Sequence, residues 1–169
     1  ACAGLAARGK LIDAGLETWP DGTVSGRYGF PHDLHAEVLY RRLPAAVRAR
    51  LHRQVGASIA SGHAARPDDV AGILARHLGL GGDAEQSWQW HRRAARVIKS
   101  RFAAGEAITH LEAALALLRR LPASARLASA ELRCMLELGE CVVSAHGYAA
   151  LEVSAVHERI LELSTRMAV

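Results

Sequence analysis

The sequence predicts a mainly α-helical fold with one small β-hairpin near its N-terminus, followed by antiparallel helix pairs. Three observations carry this. Half of the 169 residues are apolar but only 5% are aromatic, and the apolar set is dominated by alanine and leucine, which lose little side-chain entropy in helices. Glycines 9, 15, 22, 26 and 29 crowd the first thirty residues around Pro20-Asp21-Gly22. After Pro31 the apolar residues recur at helical spacing, with short polar breaks between runs.

Taken in order, Pro20-Asp21-Gly22 is turn chemistry, because proline presets φ for the first central position and glycine accepts positive φ. Short apolar stretches flank it (Leu11, Ile12; Val24, Tyr28, Phe30). They predict a hairpin of roughly 10–18 paired with 23–30, behind a helical stub. Leu34, Val38 and Leu39 give a short helical face ending at Leu43-Pro44. Val47, Leu51, Val55 and Ile59 then recur at i+4 on an arginine-rich helix, with Pro44 suited to its first turn. Pro67-Asp68 opens a helix holding Val70, Ile73, Leu74 and Leu78, and Gly-Leu-Gly-Gly-Asp, 79–83, closes it.

Asp83 is placed to cap a helix over 84–101, turning Trp88, Ala94, Val97 and Ile98 inward. Gly105 precedes 106–121, with Ala107, Ile108, Leu111, Ala114, Leu115 and Leu118 inward; helices over 124–145 and 149–166 follow. Helices of similar length joined by short turns imply antiparallel hairpins packed side by side. An internal echo agrees: Ser87 and Ala94, then Ala107 and Ala114, are small residues seven apart on successive helices. Tetratricopeptide-like repeats need small residues where the helices of a hairpin touch. The fold is thus expected as a solenoid of such hairpins over 66–169, behind a unit over 1–65.

Nothing approaches the roughly 18 apolar residues of a membrane span, and a cytoplasmic location without membrane contact is expected. Cys2, Cys134 and Cys141 make an odd set. Cys134 and Cys141 stack two helical turns apart, about 10 Å, too far for a disulfide, so buried thiols are expected.

His32, Asp33, His35 and Glu37 resemble a metal or acid/base cluster. His32 and His35 are close enough on a helix to share an ion, but Glu37 lies two residues from His35 and points elsewhere. A metal-dependent hydrolase on His32, His35 and Glu37 is therefore disfavoured, and no metal is assigned. No nucleophile motif and no phosphate loop is present. No catalytic residue is assigned, and the chain is read as not itself an enzyme. The histidines at 32, 35, 52, 63, 77, 91, 110, 146 and 157 show no converging set.

The net charge is +4. From Pro122 onward four arginines face six glutamates (−2), so the preceding part carries +6. Arg41, Arg42, Arg48, Arg50, His52 and Arg53 form the basic run, without interleaved aromatics that would stack on bases. Contact with nucleic acid is disfavoured. The alternative kept is a DNA-binding winged helix using the basic helix 45–60.

The stretch from Trp19 to Gly56 carries a resemblance. Phe30-Pro31-His32, Glu37-Val38-Leu39-Tyr40, Leu43-Pro44, Arg48 and Leu51-His52 resemble the segment after the ATPase module in bacterial STAND-type signal-transduction ATPases. Ala75-Arg76-His77-Leu78 with Gly82-Asp83, and Gly147 to Val153, extend the likeness more loosely. In that family an ATP/ADP-binding phosphate-loop module is followed by a winged helix and tetratricopeptide-like repeats. It is often fused to an adenylate cyclase, a kinase or a LuxR-type domain. The resemblance implies a non-catalytic regulatory fragment of a transcriptional or signalling regulator, without a cofactor of its own. The hairpin would be the wing. The partners would be the chain's own upstream ATPase domain and a protein or small-molecule ligand on the repeats, with self-association through an uncapped solenoid end. By position, His32 would be the histidine that contacts the β-phosphate of ADP across the domain interface. Pro31 and Asp33 depart from the family's usual neighbours, and Asp33 would repel a phosphate.

Overall fold

A computed structural model describes residues 2–167. It is mainly helical, with a two-stranded antiparallel hairpin near the N-terminus and a helical bundle after it. Helix α1 (Cys2–Ala6) leads into β1 (Ile12–Thr18) and β2 (Val24–Gly29). The turn between the strands is closed by the Gly22 amide donating to Trp19 O at 2.9 Å, with Gly22 at φ 84°. Asp21 accepts from the Thr23 amide at 2.8 Å. The expected turn chemistry therefore operates as read. A bulge the sequence did not announce sits in β1, where the register shifts between Asp13 and Leu16. Gly15, at φ 87°, supplies the left-handed backbone such a bulge needs.

Helix α2 (Asp33–Arg42) and α3 (Ala45–Gly62) follow. Pro67-Asp68 opens a 3-10 turn (Pro67–Val70) rather than an α-helix, and α4 (Ala71–Leu80) starts one turn later. Then come α5 (Ala84–Lys99), α6 (Ala104–Leu118), α7 (Ala125–His146) and α8 (Leu151–Met167). Gly105 lies inside α6 instead of ahead of it. Asp83 caps α5 as expected, its carboxylate accepting from the Gln86 amide at 2.9 Å. From α3 on, each helix packs against the next in sequence.

What brings these helices together is a series of small residues seven apart. Ser87, Ala94, Ala107 and Ala114 are all buried. Two further pairs join them: Gly72 and Gly79 on α4, and the buried Cys134 and Cys141 on α7. Across α4 and α5 the pairs meet in antiparallel order. A Cβ on Gly79 would stand 2.9 Å from Ser87 Oγ, and one on Gly72 would stand 3.9 Å from Ala94 Cβ. Ser87 is buried without strain because its hydroxyl donates to Ala75 O at 2.8 Å. Leu111, Leu115, Leu118, Met135, Leu138 and Val142 fill the space around these crossings.

The N-terminal part is built differently. Of residues 2–66 only Gly56 and Gly62 are buried. The i+4 stripe expected to pack is largely uncovered, Leu51 being 40% and Val55 42% exposed. The physical reason is the choice of face. α3 meets α4 through its narrow side, where a Cβ on Gly56 would lie 3.5 Å from His77 Cβ, and this turns the apolar stripe away. Gly62 takes the hairpin in turn. The Trp19 ring lies so close that an added Cβ would come within 2.1 Å of it. Trp19 also donates to Ser25 Oγ at 3.1 Å.

Gly62→Ala should therefore lift the hairpin off α3 while leaving α4–α8 folded. Hydrogen exchange would show it: residues 12–29 lose protection by about tenfold, and the amides around Ala107 and Ala114 do not change. Unchanged exchange over 12–29 contradicts this packing.

Candidate functional site

The stretch singled out by sequence does not converge. His32 is the N-cap of α2 but makes no capping bond through its side chain. Its ring meets His35 edge-on, centroids 5.5 Å apart. Glu37 is turned to Arg41, at 2.6 Å. No group of three metal-ligating side chains occurs among the described residues. In the basic run, Arg53 donates to Gly81 O at 2.7 Å and Arg48 lies over the Tyr40 ring. These arginines are partly committed to holding α2, α3 and α4 together.

Four of the nine histidines pair elsewhere, as two separate couples that the sequence does not announce. His52 on α3 and His77 on α4 bring their Nδ1 atoms to 3.0 Å, and Tyr40 Oη lies 2.8 Å from His52 Nε2. His91 on α5 and His110 on α6 repeat the arrangement, Nδ1 to Nδ1 at 2.9 Å. One ring of each pair must donate and the other accept, so each pair is joined while at least one ring is neutral. Burial lowers the pKa of all four. In His52 and His77 the charges of nearby arginines add to it. His91 is carried down to about 4, first by burial and then by His110. Burial likewise lowers His110, against the pull of Glu106. Residues 19 and 25 apart in sequence leave no local signal of such pairing.

A broad recess runs along the outer face of α5. It has a volume of about 620 Å³ and is lined by Asp68, Gln89, Arg92, Arg93, Arg96, Val97 and Ser100. A second recess of about 460 Å³ continues toward α7. Arg96 and Ser100 border both. Gln89, Arg92, Arg93, Arg96 and Val97 come together on α5 at spacings of three and four; Val97, expected to turn inward, is only half-buried and lines this recess.

The cations here are mostly paired. Arg92 holds Glu137 bidentately at 2.8 and 2.9 Å, and this raises the arginine's pKa. Arg93 meets Asp68 at 2.5 Å, and Lys99 is bonded to Glu140. Arg96 has no acidic partner among the described residues. Cys141 lines the second recess. Its pKa is raised by burial, as is that of Cys134, pushed up to about 11, so neither is a thiolate at neutral pH. Compared with known proteins, the chain matches no family model, no curated protein and no solved structure.

The paired histidines set a pH dependence. Their folded pKa values lie below the unfolded value of about 6.5, so the unfolded chain binds more protons as pH falls through that value. Stability is full above pH 6.5 and declines below it, down to about 4 for His91. After allowance for partial exposure, the His91–His110 joint should lose on the order of 1–2 kcal/mol. Urea midpoints between about pH 7.5 and 5 should fall in the wild type and fall less in His91→Gln. Equal slopes in both proteins would show that this pair does not govern the dependence.

Proposed function

We propose that this chain is a non-catalytic regulatory segment of a STAND-type nucleotide-switch ATPase, the wing of a winged helix continued into tetratricopeptide-like repeats. The observation that carries the reading is the order of parts. A hairpin rests on α3 through Trp19 and Gly62, and α3 runs on into helices that cross at small residues seven apart. The quoted likeness of Phe30-Pro31-His32 and Glu37-Val38-Leu39-Tyr40 to that family falls on the hairpin's exit and on α2.

Two further features support it. Leu34, Val38, Leu39, Leu51 and Val55 leave an apolar surface on α2 and α3 that a neighbouring domain would cover. His32 stands at the N-cap of α2, where an imidazole and the first helix N–H groups together suit a phosphate oxygen. In this reading the ATPase domain supplies the ADP and His32 holds its β-phosphate in the closed state. A ligand on the repeats shifts the closed and open populations by binding one of them better. Asp33, next to His32, would weaken that contact.

The coding sequence upstream of Ala1 tests the parentage directly. A GxxxxGK[ST] phosphate loop a few hundred residues earlier is expected, and an upstream region without one removes the ATPase assignment. The competing DNA-binding reading meets a separate check. Purified protein at micromolar concentration should not retard duplex DNA at moderate salt, and a salt-dependent shift lost in Arg48→Gln and Arg50→Gln would favour it instead.

A further inference from the structure

We propose that the groove along α5 binds an acidic peptide, with a side-chain carboxylate of the peptide held by Arg96. The inference deepens the repeat-scaffold reading and rests on it, since it names the ligand chemistry of that scaffold's outer face. Its basis is the charge inventory of the groove. Four cations line the two continuous recesses, Arg92, Arg93, Arg96 and Lys99, against three acids, Asp68, Glu137 and Glu140. Each acid is already bonded to one cation, which leaves Arg96 as the unpaired charge at the junction of the recesses.

The cations next to Arg96 are already engaged by acids, so Arg96 alone among them is open to an incoming carboxylate. Glu137 holds the Arg92 guanidinium through two N–H groups, and Asp68 holds Arg93 through its Nε–H. Arg93 also lies over the Trp90 ring, 5.0 Å from its centroid. The internal acids are thereby committed, and none is placed to neutralise Arg96. A guanidinium offers five N–H donors in a planar fork that fits a carboxylate bidentately, so an incoming Glu or Asp side chain completes the set. Ser100 cannot substitute as the donor, because its hydroxyl is spent on Val97 O at 2.7 Å.

The second recess determines what accompanies the acid. Ala95, Leu111 and Cys141 form part of its wall, and its thiol is un-ionised at neutral pH. An apolar side chain next to the carboxylate would fill this space. The ligand class is therefore a peptide segment in which acidic and apolar residues adjoin. A nucleic acid, although also anionic, brings no aliphatic group for that wall.

Fluorescence anisotropy decides the matter with a fluorescein-labelled, C-terminally amidated peptide of about eight alternating glutamates and leucines. The full chain should bind it saturably. Arg96→Gln should weaken binding about ten- to hundredfold, the range of one charge-assisted bidentate pair. Arg120→Gln, a charge removed outside the groove, should leave it unchanged, and the glutamine-for-glutamate peptide should not bind. Arg96 is exposed, so its replacement leaves the helical circular dichroism intact. The proposal falls if no saturable binding occurs. It also falls if both arginine variants bind equally, or if the glutamine peptide binds as tightly. A missing phosphate loop upstream would remove the ATPase parentage and leave this result standing, so the two failures are distinguishable.

Discussion

The bundle depends on how closely its helix backbones approach one another. Larger side chains at the crossings would hold neighbouring helices apart, and the leucines between them could not close the gap. Gly72 and Gly79, Ser87 and Ala94, Ala107 and Ala114, and Cys134 and Cys141 remove that obstacle on four successive helices. Seven residues is two helical turns, so each pair lies on one line of its helix. The antiparallel neighbour then presents its own line in reverse order, Gly79 to Ser87 and Gly72 to Ala94. The leucine and methionine core follows from this approach, since dispersion contacts form only at close range.

The same constraint separates the two ends of the molecule. Small residues also let α3 approach α4, at Gly56, and receive the hairpin, at Gly62. Around these points, however, the large apolar side chains of α2 and α3 face outward. What joins the parts there is polar: Arg53 on Gly81 O, and the Tyr40–His52–His77 chain. One buried group escapes the satisfaction found elsewhere. The Trp88 indole N–H lacks an acceptor of hydrogen-bond geometry among the described residues. The nearby Glu85 carboxylate still feels it, though Arg126 dominates that acid's lowered pKa.

Much of the fold was legible because it is local. Proline, aspartate and glycine at 20–22 specify their turn through their own backbone preferences, and Asp83 caps α5 three residues away. The heptad-spaced small residues of α5 and α6 could be read for the same reason. Failures came where the outcome depends on a partner. Nothing within 47–59 says which of two faces α4 will meet, and the glycine face is preferred over the aliphatic one. Gly79 reads in sequence as a helix-closing residue and Cys134 and Cys141 as buried thiols, and Gly72 gives no signal of its own; only their partners show that all four share the spacing of the crossings. The groove was the least visible feature. A free Arg96 is recognisable only once Arg92, Arg93 and Lys99 are known to be engaged by acids up to 45 residues away.

Those distant acids have a consequence for how the bundle responds to salt. Arg92–Glu137, Lys99–Glu140 and Arg126–Glu85 each join α5 to α7, passing over α6, and two of the three are well exposed. Such exposed pairs are screened over about 10 Å at moderate salt. Added salt therefore weakens ties between α5 and α7 and leaves the small-residue crossings between successive helices as they are.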